Sequence, residues 1–341
     1  MDNLKFNQDG HFRILCVSDF HGCSGFNPKL TEGLSALLDE TKPDFVFVLG
    51  DTAVGPFAEM TQDCVRQLLA DMLEPIYSRG IPWAHVFGNH DRESGMSNEV
   101  QQKLYESLPL CMSVAGPQEV SGVGNYRLPV YSSDGKSVKY NLFALDSGRN
   151  YHDFVESAGL PKDTKVVLPD CFGSGADQSS PLPDQVMWYY YESLKAEKAE
   201  GAKIPALMFM HVPIIEFNLI WRNPEETDCV GSKREGLGCG ELNCGLFMTC
   251  LQRGDVKGIF CGHEHLCDFQ GNYCGITLAY DSAMGYNMSA HDDLRGGRVI
   301  DIYEDGRMYT RHVKLWDIMG KKCMRDPEYM EGGCRYFLRK L

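Results

Sequence analysis

The sequence predicts an α/β fold with a largely parallel core, on three observations. Short apolar runs rich in Val, Ile and Phe recur along the 341 residues, as strands buried on both faces do. Helical patterns separate several of these runs, which is how βαβ units read. Several runs end in clusters of polar side chains, and the first three of these, at Asp19, Asp51 and Asn89, are spaced near one βαβ step of roughly 30 residues.

The elements follow in order. "FRILCVSD" is the first strand and ends in Asp19-Phe20-His21; Pro28 to Glu40 reads as a helix. "PDFVFVLGD" ends in Gly50-Asp51. Between Thr61 and Arg79, the residues Val65, Leu68, Leu69, Met72, Leu73 and Ile76 recur at helical steps and make one apolar stripe. "PWAHVFGNH" then ends in Gly88-Asn89-His90-Asp91, and "YNLFALDSG" is a further strand. Asp184 to Lys203 reads as a helix whose core stripe is Met187, Tyr190, Tyr191 and Leu194. "IPALMFMHVP" ends in His211-Val212-Pro213, and "VKGIFCGHEH" in Gly262-His263-Glu264-His265. The runs "GITLAYDSA", "GRVIDIYEDG" and "YTRHVKLW" are separated by turns and predict an antiparallel portion. Gly148 to Pro183 and Trp221 to Glu241 are irregular, and loops of that length are commonly functional. Without repeats or a linker, residues 1–341 read as a single domain, with a motif core over 13–303 and a C-terminal extension over 304–341.

Lys and Arg number 33 against 47 Asp and Glu, a net charge of −14, which opposes binding to nucleic acid or an anionic membrane. A phosphate substrate would also be repelled unless bound cations reverse the sign locally. No apolar run is long enough to span a bilayer, and the N-terminus lacks the basic and apolar regions of a signal peptide. A cytoplasmic location is the resulting expectation. The 14 cysteines then read as reduced thiols, with a disulfide or an unusually spaced zinc site among Cys229, Cys239, Cys244 and Cys250 as the alternatives.

Ligand sites of open α/β sheets lie beyond the carboxyl ends of the strands, so the polar strand ends are expected to meet. Asp19, Asp51 and Asn89 offer oxygen ligands; His21, His211, His263 and His265 offer imidazoles. Mixed nitrogen and oxygen ligation suits Mn, Fe or Zn. Seven ligands exceed one tetrahedral site but suit two metals sharing a carboxylate, and such pairs, about 3.5–4 Å apart, clamp phosphoryl displacement. His85, inside a strand, reads as a hydrogen-bonded core histidine; His11, His152, His291 and His312 have no partner motif and read as surface residues.

The order Asp-x-His, Gly-Asp, Gly-Asn-His-Asp, His-x-Pro, Gly-His-x-His resembles the calcineurin-like metallophosphoesterase superfamily, and the stretch from Asn243 to Tyr286 resembles its small purple-acid-phosphatase-like branch. The resemblance implies a four-layer fold of two mixed β-sheets flanked by helices. It implies that Asp19, His21 and His265 hold one metal, that Asn89, His211 and His263 hold the other, and that Asp51 bridges them. His90 would stabilise the phosphate or protonate the leaving oxygen, with Asp91 orienting it. The implied activity is hydrolysis of phosphate esters, small-molecule or phosphoprotein, by in-line attack of a metal-bridging hydroxide. A phosphomonoesterase is the first expectation, a phosphodiesterase for cyclic nucleotides or related diesters the second, and a non-catalytic interaction protein the third. Purple acid phosphatases proper have Asp-x-Gly and Gly-Asp-x-x-Tyr; His21 and Val54 stand at those positions here. Cys267-Asp268 replaces the Asn-Asp that often follows the last block.

Overall fold

The computed structural model describes residues 3–23, 27–54, 61–148, 180–240, 242–286 and 290–325, together with 155, 159–161, 163 and 164. His152 and most of the Gly148–Pro183 stretch lie outside the described residues. The strands are β1 (Leu4–Lys5), β2 (His11–Val17), β3 (Phe45–Val48), β4 (Trp83–His85), β5 (Tyr126–Tyr131) and β6 (Val138–Ala144). They continue as β7 (Ala206–Phe209), β8 (Val256–Cys261), β9 (Gln270–Tyr273), β10 (Ile276–Tyr280), β11 (Gly296–Tyr303) and β12 (Met308–Lys314). The helices are α1 (Lys29–Thr41), α2 (Gln62–Tyr77), α3 (Asn98–Glu106), α4 (Pro183–Glu200), α5 (Phe217–Arg222), α6 (Leu246–Arg253) and α7 (Leu315–Met319).

Two mixed sheets result. One runs β12-β11-β2-β3-β4 and the other β1-β5-β6-β7-β8-β10-β9. The central pairs β2–β3, β3–β4, β6–β7, β7–β8 and β8–β10 are parallel, while β11 pairs antiparallel with both β2 and β12. The period of two along each strand sorts its side chains between layers. On β3, Val46 and Val48 face a core with Leu34 and Leu37 of α1 and Leu69 and Met72 of α2. Phe45 and Phe47 of the same strand face the other sheet. There Phe47 stacks on Phe209, ring centroids 4.1 Å apart, and Phe209 stacks on Phe260. On β8, Ile259 and Cys261 turn outward to meet α4, α5 and α6. The molecule is therefore four layers: helices, sheet, sheet, helices.

Thr61 caps α2 by accepting from the Cys64 amide, so the predicted start of that helix is held by its own side chain. The stripe predicted for α4 is displaced by one position. Its buried residues are Gln185, Val186, Tyr189, Ser193 and Ala196, whereas Met187 and Tyr191 are exposed. The reason is polar: Tyr189 and Ser193 both donate to the buried Asp255 carboxylate. Three histidine expectations also change. The His85 ring is buried and stacked on Tyr105 at 3.6 Å, but neither ring nitrogen has a hydrogen-bond partner. The His312 side chain is buried, with Nε2 3.0 Å from Ser282 Oγ and two carboxylates, Asp281 and Asp268, beyond it. His11 is partly buried and bonded to Asp301. Cys229, Cys239, Cys244 and Cys250 are free thiols.

Candidate metal centre

β2, β3 and β4 are parallel, so their carboxyl ends share an edge, and backbone pairing continues past the strands. The amides of Asp19, His21 and Gly22 donate to the carbonyls of Gly50, Asp51 and Thr52, and Val54 donates back to Gly22. This zips the Asp-x-His loop to the Gly-Asp loop. The ligand positions are bent sharply. Asp19 (φ 54°), His21 (φ 47°), Asp51 (φ 48°) and His263 (φ 77°) all occupy the left-handed region. That conformation costs a non-glycine residue on the order of 1–3 kcal/mol and collects at functional sites. Two motif glycines make room for neighbouring carboxylates. A Cβ on Gly88 would lie 2.1 Å from Asp51 Oδ1, and one on Gly262 would lie 2.8 Å from Asp19 Oδ2.

Five of the seven predicted ligands fall in two groups that share Asp19, and Asn89 and His263 adjoin them. Ligand atoms of Asp19, His21 and His265 all lie within 4.8 Å of one another, as do those of Asp19, Asp51 and His211. Asn89 Oδ1 lies 3.0 Å from His211 Nε2 and 2.9 Å from His263 Nδ1. Asp51 Oδ2, a member of the second group, lies 3.2 Å from His211 Nε2 and 3.6 Å from His21 Nε2 of the first. The His211 tautomer is set from behind: Nδ1 donates to the Leu49 carbonyl at 2.6 Å, which leaves the Nε2 lone pair for a metal. Ser18 Oγ and the His263 amide donate to Asp19 Oδ2 and hold its other oxygen toward the centre.

Those inward oxygens test whether a metal pair fits. Asp19 Oδ1 and Asp51 Oδ2 are buried and have no hydrogen-bond partner, a costly arrangement for a carboxylate unless a cation completes it. Their neighbours within 4.0 Å are imidazole nitrogens. Electrostatics agrees. Burial would raise the Asp51 carboxyl, but His211, His21 and His90 hold it well below the usual range. Burial would lower His211, yet Asp51 and Asp19 push it up to about 10. Likewise burial opposes, and Asp19 and Glu235 win, in pushing His265 up to about 9. The carboxylates thus draw protons onto His211 and His265, while burial pushes His21 and His263 down; metal ions would bind the first two by displacing their protons. The donor set fits two transition-metal ions.

His90 lies beside this group, its ring centroid 5.5 Å from that of His21. Asp91 does not orient it, which corrects the expectation. The Asp91 carboxylate accepts from the amides of Gly88, Asp51, Thr52 and Ala53 at 2.7–3.1 Å, so both of its oxygens are occupied by backbone. Burial and the Asp51 charge push Asp91 up to about 7, against the pull of those amides. Asp91 therefore shapes the loop that presents Asp51. The His90 Nδ1 partner is Glu93 Oε1, at 2.7 Å. Its signal in the sequence is its place three residues on, the spacing at which side chains on one helical turn meet. Val54 is a buried aliphatic residue three positions past Asp51.

Part of the irregular Trp221–Glu241 region forms a wall beside His263 and His265. Val230 bridges to Gln270 and Lys233 to Cys267. Glu235 Oε1 accepts from the Leu266 amide and Glu264 Oε1 from the Gly238 amide, both at 2.5 Å. Asp268 secures the same wall by accepting from the Ser232 amide.

Comparison with known proteins agrees with this geometry. The calcineurin-like phosphoesterase profile matches residues 12–267. A probable inactive purple acid phosphatase 14 of Arabidopsis thaliana is 30% identical over 94% of this chain and 83% of its own length. The phosphatase DCR2 of Saccharomyces cerevisiae is 24% identical over 78% of this chain and 46% of its own length. Among solved structures, GAP50, the anchor in the inner membrane complex of Plasmodium, superposes with a TM-score of 0.53 at 9% identity. It covers 90% of this chain and 86% of its own, a likeness of fold. No helix among the described residues is long and apolar enough to cross a membrane. The chain belongs to the calcineurin-like phosphoesterase family.

Proposed function

We propose that this chain is a metal-dependent phosphoric ester hydrolase acting on phosphate monoesters. The observation that carries the reading is the pair of buried, unsatisfied carboxylate oxygens, Asp19 Oδ1 and Asp51 Oδ2, facing His21, His211 and His265 with His90 alongside. Asp19, His21 and His265 would hold one ion, Asn89, His211 and His263 the other, and Asp51 both. Two bound ions of the Mn, Fe or Zn type would neutralise phosphoryl charge and make a water acidic enough to serve as nucleophile near neutral pH. The protein's own part is positioning. The zipped loops fix the ligand carboxylates in advance, so little reorganisation is needed when charge develops on phosphorus. His90, about one-third exposed, stands where an ester oxygen could reach it and supplies the proton that the leaving group needs.

A non-catalytic reading has one observation in its favour: a similar Arabidopsis thaliana protein is described as probably inactive. Against it stands the full set of seven donors together with His90. The test loads the protein with Mn, Zn or Fe, counts ions per chain, and assays an aryl phosphate beside its bis-ester. Monoester turnover supports the proposal, and turnover of the bis-ester alone makes the chain a phosphodiesterase. Two bound ions with neither turnover would favour the non-catalytic reading.

A further inference from the structure

We propose that Glu93 is the positioning residue of His90, fixing which ring nitrogen meets the ester oxygen. The inference rests on the hydrolase reading for its chemistry, but its geometry stands apart from it. His90 immediately precedes a single 3₁₀ turn, Asp91–Ser94, and Glu93 returns along that turn to place Oε1 2.7 Å from His90 Nδ1. A carboxylate can only accept, so Nδ1 carries the hydrogen and Nε2 is the nitrogen left free for substrate. The turn is itself anchored. The His90 amide donates to Asp51 Oδ1 at 2.8 Å, Ser94 Oγ donates to the Asp91 carbonyl, and Gln101 Nε2 donates to that same carbonyl from α3. The Asp91 carboxylate, committed to four amides, has no capacity left for His90. The nearest motif carboxylate thus builds the loop, and the one two residues later aims the ring.

The proton balance follows from this arrangement. Water adds to phosphorus as the P–O ester bond breaks, and the bond's electron pair stays on the leaving oxygen. That oxygen takes the proton from Nε2 of the doubly protonated ring, whose Nδ1–H stays on Glu93. The ring is left neutral with hydrogen on Nδ1, the tautomer that Glu93 stabilises. The proton released by the attacking water restores Nε2 through solvent. No redox partner is required.

The test uses the zinc-loaded, ¹⁵N-histidine-labelled protein, with the His90 resonances assigned through His90→Gln. With the ring in its neutral form, wild type is expected to show the Nδ1–H tautomer, and Glu93→Ala to lose it. Glu93→Gln retains an acceptor oxygen and should retain the tautomer. With esters, Glu93→Ala should lower kcat about tenfold for an alkyl phosphate, whose leaving oxygen needs the proton, and much less for 4-nitrophenyl phosphate. KM should stay unchanged, and Glu93→Gln should recover the rate. Adding Glu93→Ala to His90→Ala should cost nothing further, because one acts through the other. An unchanged His90 tautomer in Glu93→Ala, or additive rate losses in the double variant, would overturn the inference. No ester turnover by metal-replete wild type would count against the hydrolase reading instead, and the tautomer result would then decide the inference alone.

Discussion

β8 carries two kinds of buried carboxylate environment, one at each end. At its amino end, Asp255 is 2% exposed, and each of its carboxylate oxygens has a donor, Tyr189 Oη on one and Ser193 Oγ on the other. Ser193 in turn accepts from Arg253 Nε, and Arg253 pairs with Glu197. Beyond its carboxyl end, His263 and His265 join the cluster that holds Asp51, 1% exposed, with Oδ1 bonded to the His90 amide and Oδ2 unsatisfied. Burial is the same, but satisfaction differs. A carboxylate supplied with all its donors ties α4 to the sheet, whereas one left short beside imidazoles is a candidate metal ligand. The backbone repeats the contrast. Asp255 does not have a positive φ, while Asp19, His21, Asp51 and His263 lie in the left-handed region.

The largest effect that could break this contrast is at Asp51. On the proposed reading Asp51→Asn removes a charge shared by two ions, so the variant should bind less metal and lose turnover by on the order of 10³-fold. Inductively coupled plasma analysis and steady-state rates measure both. A metal-replete Asp51→Asn with near wild-type turnover would show that the open oxygen is not shared between two ions.

How far the contrast was legible in the sequence depends on the span of the interactions. The cluster of proposed ligands was legible because each falls at the end of a predicted strand, and parallel pairing brings the ends of β2, β3 and β4 to one edge and those of β7 and β8 to the matching edge of the other sheet. The role of Asp91 was not, because adjacency to His90 in the chain suggests a side-chain partner, while its donors come mainly from the Asp51–Ala53 backbone some forty residues away. The α4 stripe was misplaced for a related reason. Hydropathy ranks Met187 and Tyr191 as core, but Asp255, on another element, draws Tyr189 and Ser193 inward. β5 was missed because Pro129 interrupts its alternation, and α3 because it buries Gln101 and Gln102 instead of an apolar stripe.

Next in size is Asp255→Ala. It leaves two buried hydroxyls, on Tyr189 and Ser193, without an acceptor and should cost about 3 kcal/mol of stability, with little effect on metal content. Denaturant unfolding measures the first and metal analysis the second. Loss of metal in this variant would mean that the two ends of β8 are coupled and that the division drawn here is too sharp.

Metal should stabilise the chain through one end alone. At free metal a hundredfold above Kd, stability should rise by about 2.7 kcal/mol, because ions bind the folded ligand set and not the unfolded chain. The rise, read as a shift in the urea midpoint on adding metal after chelation, should survive in Asp255→Ala and largely vanish in Asp51→Asn. An equal rise in both variants would place the tightest metal site away from Asp51.

The smallest change is the most selective. Tyr189→Phe keeps the ring, which packs edge-on against Phe143 at 5.1 Å, and removes only the hydroxyl that donates to Asp255. Ser193 remains as a donor, so the carboxylate is weakened and not stripped. The expected cost is about 1 kcal/mol, the net value of one hydrogen bond, and ester turnover should not move because no ligand loop touches this network. A much larger loss would mean that the second oxygen of Asp255 tolerates being open no better than a fully unpaired one. Asp51 Oδ2 and Asp19 Oδ1 would then be still harder to keep without a cation, and the metal-free protein should be correspondingly fragile. A loss near zero would instead place Asp255 within reach of water. The inference from an unsatisfied oxygen to a missing ion would then need the dryness of the ligand cluster, where Asp19 and His211 are fully buried, as its second premise.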